Sequence, residues 1–335
     1  MNPTWTDTQL DQQARDRRVR TAVVVTVVGL LILAAAGVIA WSWRAELPDP
    51  VASHWGSHGT VNGFSSLGGL LATLLGIGGA LVLGFGAMTG FLGQSAANRR
   101  IGAAAAIWAA LWIATLLLGT LSVQRGLTDA RDAGDVGNVL GIALAASLVP
   151  AILVGVFVPG DPHRPTERPV AADAPRVRLL GAERAVWLGR ASSPIGFIIG
   201  VPVAVAIVVI AVTTGLWWLL AEVGVIVLLF IGLSSFVVRV DDQGLSIRST
   251  VGWPRTRVPL DEVVRADVAT VSPVRDFGGW GWRTGRDGRV GIVLRKGEAL
   301  LVQRTGDRSI VVTVDDAASA AGLLNALSDR QRQGR

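Results

Sequence analysis

Two histidines, His54 and His58, lie in one polar loop, and their type and spacing are the first feature of the sequence that suggests chemistry. On a helix, side chains four positions apart share a face, so this pair could bind one metal ion. However, Pro50, Gly56 and Gly59 favour turns, and a zinc site needs three or four ligands. We therefore expect a folded loop whose histidines hydrogen-bond to the backbone. A bound metal and metal-dependent catalysis are the alternatives.

Three aspartates, Asp129, Asp132 and Asp135, lie in a second polar segment. Carboxylates grouped in this way could collect a cation. Arg125 and Arg131 accompany them, which favours ordinary solvated ion pairs over a cation site.

A glycine-rich segment at 275–286 combines aromatic and basic residues. Indole rings favour the membrane–water interface, and arginines are attracted to anionic headgroups. The membrane-contact candidates are Phe277, Trp280, Trp282, Arg275 and Arg283. The alternative is that the tryptophans pack against the protein itself. Single-stranded nucleic acid also suits such a loop, but nothing else supports it, and we expect no nucleic-acid partner.

The composition is typical of a membrane protein. Half of the 335 residues are hydrophobic, only 17% are charged, and the mean hydropathy is +0.49. The chain has no cysteine, which excludes disulfides, thiolate metal sites and cysteine nucleophiles. The net charge of +6 comes mainly from arginines that flank apolar runs, so an anionic membrane surface is favoured as their partner.

Long apolar runs separate the polar segments, and each is long enough to cross a bilayer. A helix rises about 1.5 Å per residue, so about 20 apolar residues span the hydrocarbon core. The last run is about twice that length and predicts a hairpin of two helices. We predict six transmembrane helices, from runs at 21–43, 67–92, 101–121, 139–158 and 195–238.

The arginines predict the orientation, because positively charged segments stay in the cytosol. Of the fifteen arginines before residue 195, twelve lie before residue 21, at 99–100 or in 161–194, whereas the alternate segments carry only Arg44, Arg125 and Arg131. This distribution places both termini in the cytoplasm. The preference for arginine over lysine, with abundant Ala, Val and Gly, is typical of a GC-rich bacterium, so we expect the plasma membrane of a bacterial cell.

After residue 239 the long apolar runs end, and apolar residues alternate with polar ones as they do in strands. Seven short strands are predicted, at 237–240, 245–248, 255–258, 266–271, 290–294, 299–303 and 310–314. Asp315 or Asp316 then caps a terminal helix. The pattern predicts a small barrel or sandwich closed by a helix, which should fold without the membrane part as residues 239–329.

The loop that contains His54 carries a recognisable motif: Leu47, Pro48, His54, Trp55, Gly59, Asn62 and Gly63. It resembles the motif of the DUF1648 family of bacterial membrane proteins, over about residues 20–90. This chain has Asn62 where the family usually has Asp. The same module begins SdpI-like immunity proteins, which protect a bacterium from a secreted toxin and signal its presence. The resemblance therefore implies sensing or immunity.

The order of elements in the second half, strands and a terminal helix after a membrane hairpin, resembles bacterial PH-like domains. The segment 181–187 is similar to the one that precedes the hairpin in such proteins. The predicted divisions are a cytosolic tail (1–20), a four-helix membrane module (21–160) with an external loop (44–66), a basic cytosolic linker (161–194), a transmembrane hairpin (195–238) and a PH-like domain (239–330).

The sequence favours a membrane protein that is not an enzyme, needs no cofactor, and binds an unknown external ligand or protein. Its other expected partners are the lipid bilayer and anionic headgroups. A transporter is an alternative, although transporters place charged residues inside their spans and these spans have almost none. A metalloenzyme that uses His54 and His58 is the other alternative.

Overall fold

The computed structural model describes residues 7–56, 59–93, 95–180, 183–215, 217, 219–252, 254–285 and 287–334. The chain divides into two compact units. One is centred on residues 11–161 with 208–221, and the other on residues 162–207 with 222–335.

The first unit is built from long helices and one small hairpin. Its elements are α1 (Asp7–Ser42), β1 (Val51–Trp55), β2 (Val61–Ser65), α2 (Leu67–Leu92), α3 (Ala96–Ser122) and α4 (Gly137–Phe157). The predicted runs at 67–92 and 101–121 lie within helices, and the run at 139–158 ends one residue beyond α4. Helix α1 starts earlier than predicted, because residues 7–20 are rich in helix formers and contain neither Gly nor Pro.

Small residues bring these helices close together, as is usual for helices that pack in a membrane. A Cβ atom at Gly78 of α2 would lie 3.0 Å from Leu33 of α1 and 3.1 Å from Ile113 of α3. The alanines at positions 106 and 110 of α3 are fully buried. The helices therefore approach one another closely at glycine and alanine positions. Some larger side chains, such as Leu117, are buried with them, and others, such as Leu31 and Phe157, are exposed.

Five described helices, α1 to α4 and α5 (Ile195–Thr214), are long and apolar enough to cross a membrane. Helix α6 (Leu219–Ser234) has 16 residues, which as a helix is about 24 Å, short of the hydrocarbon core. The prediction of six spans is therefore not confirmed. The last residues of the predicted run at 195–238 form a strand instead of a helix. In that strand every second side chain, including Phe236 and Val238, is buried in the core of the second unit.

The second unit contains two sheets. The four-stranded sheet has the order β3-β4-β5-β6, formed by β3 (Trp187–Ser192), β4 (Ser235–Asp241), β5 (Gly244–Ser249) and β6 (Arg255–Val258). The five-stranded sheet has the order β7-β10-β11-β9-β8, formed by β7 (Val263–Val271), β8 (Gly281–Thr284), β9 (Val290–Val293), β10 (Gly297–Arg304) and β11 (Arg308–Thr313). Neighbouring strands are antiparallel, except that β9 and β11 are parallel.

One hydrophobic core joins both sheets to the terminal helix α8 (Ala317–Gln333). It includes Phe236 and Ile247 from the first sheet, Leu300 and Val312 from the second, and Leu324 from α8. The seven predicted strands and the helix capped by Asp316 are confirmed. In the described part of the chain the sheets stay separate and do not close into a barrel.

The segment 161–194, predicted as a linker, supplies part of this unit. Strand β3 pairs with β4 along its whole length, from Trp187 opposite Val240 to Ser192 opposite Ser235. Leu179 also packs against the core. The domain therefore begins well before residue 239, and helices α5 and α6 are inserted between two of its paired strands.

Candidate functional site

The loop that carries His54 folds as a hairpin of two short strands, not as a helix. His54 lies opposite Gly63, where a Cβ atom would be 2.8 Å from the Cβ of His54, so only glycine fits there. The ring Nδ1 of His54 donates to Oδ1 of Asn62 at 2.5 Å. Since an amide oxygen only accepts, Nδ1 is the donor in this bond. His58 lies outside the described residues.

A buried glutamine fixes this hairpin to the end of α3. Gln124 is fully buried, and its side-chain amide bonds to both backbone groups of Ala52. Ala52 N–H donates to Oε1 at 2.7 Å, and Nε2 donates to the Ala52 carbonyl at 3.0 Å. The Gln124 amide thereby makes the two hydrogen bonds to β1 that a neighbouring strand would make. Both backbone groups of Ala52 are therefore paired at this buried contact.

The hairpin also contacts the segment between α3 and α4. The indole N–H of Trp55 donates to the Gly134 carbonyl at 3.1 Å. Gly59 has a φ of +72°, and a Cβ there would lie 3.0 Å from the side chain of Asp135. These contacts bring two polar segments, far apart in the sequence, to one place.

A cavity of about 630 Å³ lies beneath the hairpin. Its inner wall is apolar and comes from three helices: Leu70 and Leu74 of α2, Leu116 of α3 and Leu140 of α4. Its polar wall includes Ser53, His54, Trp55 and Asp135. The volume and this combination of an apolar wall with a few polar groups are typical of small-molecule sites.

Residues 30–77 match the family model of DUF1648, a domain of unknown function. The match contains the end of α1, the whole hairpin and the start of α2. It thus contains the hairpin side of the cavity and the inner-wall residues of α2. No curated protein and no solved structure matches the chain.

Some of the motif residues build the hairpin, and others, such as His54 and Trp55, line the cavity. Pro48 is buried, and Leu47 packs against a helix core. Gly63 provides room for the His54 backbone, and Asn62 orients its ring. The sequence did not predict the role of Gln124, because nothing in a linear pattern links it to a strand 72 residues away.

No group of three or more His, Asp or Glu that could hold a metal occurs among the described residues. Asp129 pairs with Arg131 at 3.4 Å, as the ion-pair interpretation predicted. Arg125 pairs instead with Glu46 at 2.6 Å. Asp135 accepts from the Gly137 N–H at 2.9 Å through one oxygen. Of the three aspartates, Asp135 is the one that lines the cavity.

The aromatic segment lies in the second unit, and two of its three rings pack against hydrophobic cores of that unit. Phe277 ends the short helix α7 (Pro273–Phe277), is 4% exposed, and packs with Val271 and Val293. Trp282 packs against the main core, with its ring centre 6.1 Å from that of Phe236. Phe277 therefore offers almost no surface to lipid, and Trp282 offers less than the sequence suggested.

Trp280 and the two arginines remain on the surface. Trp280 is 39% exposed, and Arg283 donates to its carbonyl at 3.1 Å. Arg275 bonds to Asp276 at 2.7 Å, and this contact holds the pKa of Asp276 below its usual range. Because Arg275 already has a carboxylate partner, it offers less net charge to a membrane than the sequence suggested.

Proposed function

We propose that this chain is a multi-pass membrane protein, not an enzyme, that binds an external ligand in the cavity beneath the β1–β2 hairpin. The observation that carries the proposal is the cavity itself: the hairpin, held by Gln124, closes one side of a space of about 630 Å³. The residues on its polar wall belong partly to the segment that matches DUF1648. The role that fits such a site is sensing or toxin immunity, as the resemblance to SdpI-like proteins implies.

The surroundings of His54 support binding over catalysis. Its ring is oriented by the Asn62 amide, whereas a histidine that acts as a general base is commonly oriented by a carboxylate. No nucleophile approaches the ring in the contacts of the described residues. A transporter is less well supported, because the spans have few buried charged groups of the kind that transporters use.

The cavity should bind a small molecule that has an apolar body. We expect 4-phenylbutanol to bind the protein in phosphatidylcholine nanodiscs, as measured by calorimetry against empty nanodiscs. Leu140→Trp should abolish the binding, because the indole fills the cavity. Ile142→Trp is the matched control, since Ile142 is exposed on the same helix. Equal binding by both variants would move the ligand site away from this cavity.

We also propose that the chain crosses the membrane six times, with both termini in the cytoplasm of a bacterial cell. The pairing of β3 with β4 supports this number. Ser192 and Ser235 lie opposite each other, so the two ends of the α5–α6 hairpin must be on the same side of the membrane. If α5 crosses, α6 must return, and local thinning of the bilayer accommodates its short length.

Single-cysteine labelling tests the number of crossings, because the native chain has no cysteine. Thr128 and Thr270 are both exposed, and α4, α5 and α6 lie between them. In intact cells Thr128→Cys should react with an impermeant maleimide, and Thr270→Cys should react only after lysis. Reaction of both cysteines in intact cells would contradict six crossings.

For the second unit we propose a PH-like domain on the cytosolic side. Two sheets with a shared core and a terminal helix support it. Trp280, Arg275 and Arg283 remain candidates for contact with anionic headgroups. This contact is a smaller surface than the sequence suggested, because Phe277 is buried and Trp282 is partly buried.

A further inference from the structure

We propose that the cavity takes an amphiphilic cation, a molecule with an ammonium or guanidinium head on an apolar body. The inference rests on the proposed function and names the class of ligand. It is drawn from the juxtaposition of one carboxylate, one histidine and one indole ring above an apolar wall.

The apolar body is indicated by the inner wall of the cavity. Leu70, Leu74, Leu116 and Leu140 come from three different helices and line one continuous space. Burial of apolar ligand surface against this wall is favourable, because it removes that surface from water. A small, fully hydrated ion would leave this wall unused, so the ligand needs an alkyl or aryl part.

The positive head is indicated first by Asp135. One of its oxygens accepts from the Gly137 N–H, and its negative charge lies on the polar wall. The arginines nearest in sequence pair elsewhere, Arg125 with Glu46 and Arg131 with Asp129. A cationic head is therefore the complementary partner for this carboxylate.

The other polar groups of the wall also suit a cation. His54 donates through Nδ1 to Asn62, and in the tautomer that carries its proton on Nδ1 the other ring nitrogen, Nε2, is an acceptor. The Trp55 ring is held by its bond to the Gly134 carbonyl, and indole is the aromatic ring that best attracts cations. The described lining residues include neither arginine nor lysine, so an anionic head would meet no cationic side chain of either type there.

Three probes that share one body and differ in the head test this inference. They are 4-phenylbutylamine, 4-phenylbutanol and 4-phenylbutyrate, titrated at pH 7.5 into the full-length protein in phosphatidylcholine nanodiscs. The amine should bind up to about fivefold more tightly than the alcohol, the upper end of what one exposed ion pair contributes. The carboxylate should bind more weakly than both.

Asp135→Asn should remove the preference for the amine. Asparagine keeps an oxygen for the Gly137 N–H, so the change removes charge and preserves the local fold. Asp132→Asn is the matched control, because Asp132 is an exposed aspartate of the same segment that does not line the cavity. This variant should keep the wild-type preference.

Equal binding of amine and alcohol by the wild type would overturn the cationic ligand, and so would a preference that survives Asp135→Asn. In either case the proposed function would still hold if the wild type binds the alcohol and Leu140→Trp does not. If none of the three probes binds, both the cationic ligand and the cavity as a ligand site are wrong.

Discussion

Residues 162–192 joined to residues 235–334 by Asn-Gly should fold as a soluble β domain, whereas residues 239–329 alone should not fold. Ser192 and Ser235 are opposite each other in the β3–β4 pair, so a two-residue turn can replace the whole α5–α6 hairpin. The joined fragment keeps both sheets, the terminal helix and their common core.

The shorter fragment lacks β3 and the first half of β4. It therefore loses Phe236 and Val238, which are fully buried, together with the packing of Leu179 and Trp187. Loss of the two buried side chains alone costs about 5 kcal/mol, comparable with the whole stability of a small domain. Circular dichroism and urea unfolding measure the difference. Cooperative unfolding of 239–329 would show that β3 is dispensable.

Glu262→Ala should destabilise the β domain by about 3 kcal/mol, because it leaves two arginines without their buried partner. Glu262 is 2% exposed and ends a short turn between β6 and β7. Its Oε2 accepts from Arg304 at 2.5 Å and lies 3.3 Å from Arg308. Its Oε1 accepts from the Arg164 N–H at 2.8 Å, so one carboxylate holds the β10–β11 turn and residue 164 together.

Urea unfolding of the joined β domain gives the free energy of unfolding for this comparison. Glu167→Ala is the control for the loss of one negative charge, since Glu167 is an exposed residue of the same segment. A loss below about 1 kcal/mol for Glu262→Ala would put this contact in the range of surface ion pairs. The contact made by Glu262 would then not be the interaction that attaches residues 162–166 to the domain.

The local periodicity of the sequence predicted most of the elements. Runs such as 67–92 became helices with nearly the same bounds. Seven of the eight strands from Ser235 onward were predicted from their alternation, and β8 was not. Strand β3 was missed because its neighbours in the sheet come 43 residues later, after two helices. A pattern that depends on a distant partner has no local signal.

The end of α6 shows how a tertiary contact moves a boundary. Residues 236–238 are apolar and continue the run of the preceding helix, so hydropathy alone assigns them to a membrane span. Their alternation into the domain core, with Phe236 and Val238 buried, makes them part of β4 instead. The membrane interior and the domain core are both apolar, so only the presence of a partner strand decides whether these residues form a helix or a strand.

The sequence by itself determined that this is a membrane protein with a β-rich C-terminal part, and that the His54 loop carries a DUF1648-like motif. Composition, periodicity and a local motif suffice for these conclusions, because each depends only on residues that are close together in the sequence. The tertiary structure alone decided which polar residues meet. It joined Gln124 to Ala52 and Asp135 to the hairpin, and it removed Phe277 from the surface. A binding cavity depends on contacts between distant segments, and those contacts exist only once the helices have packed.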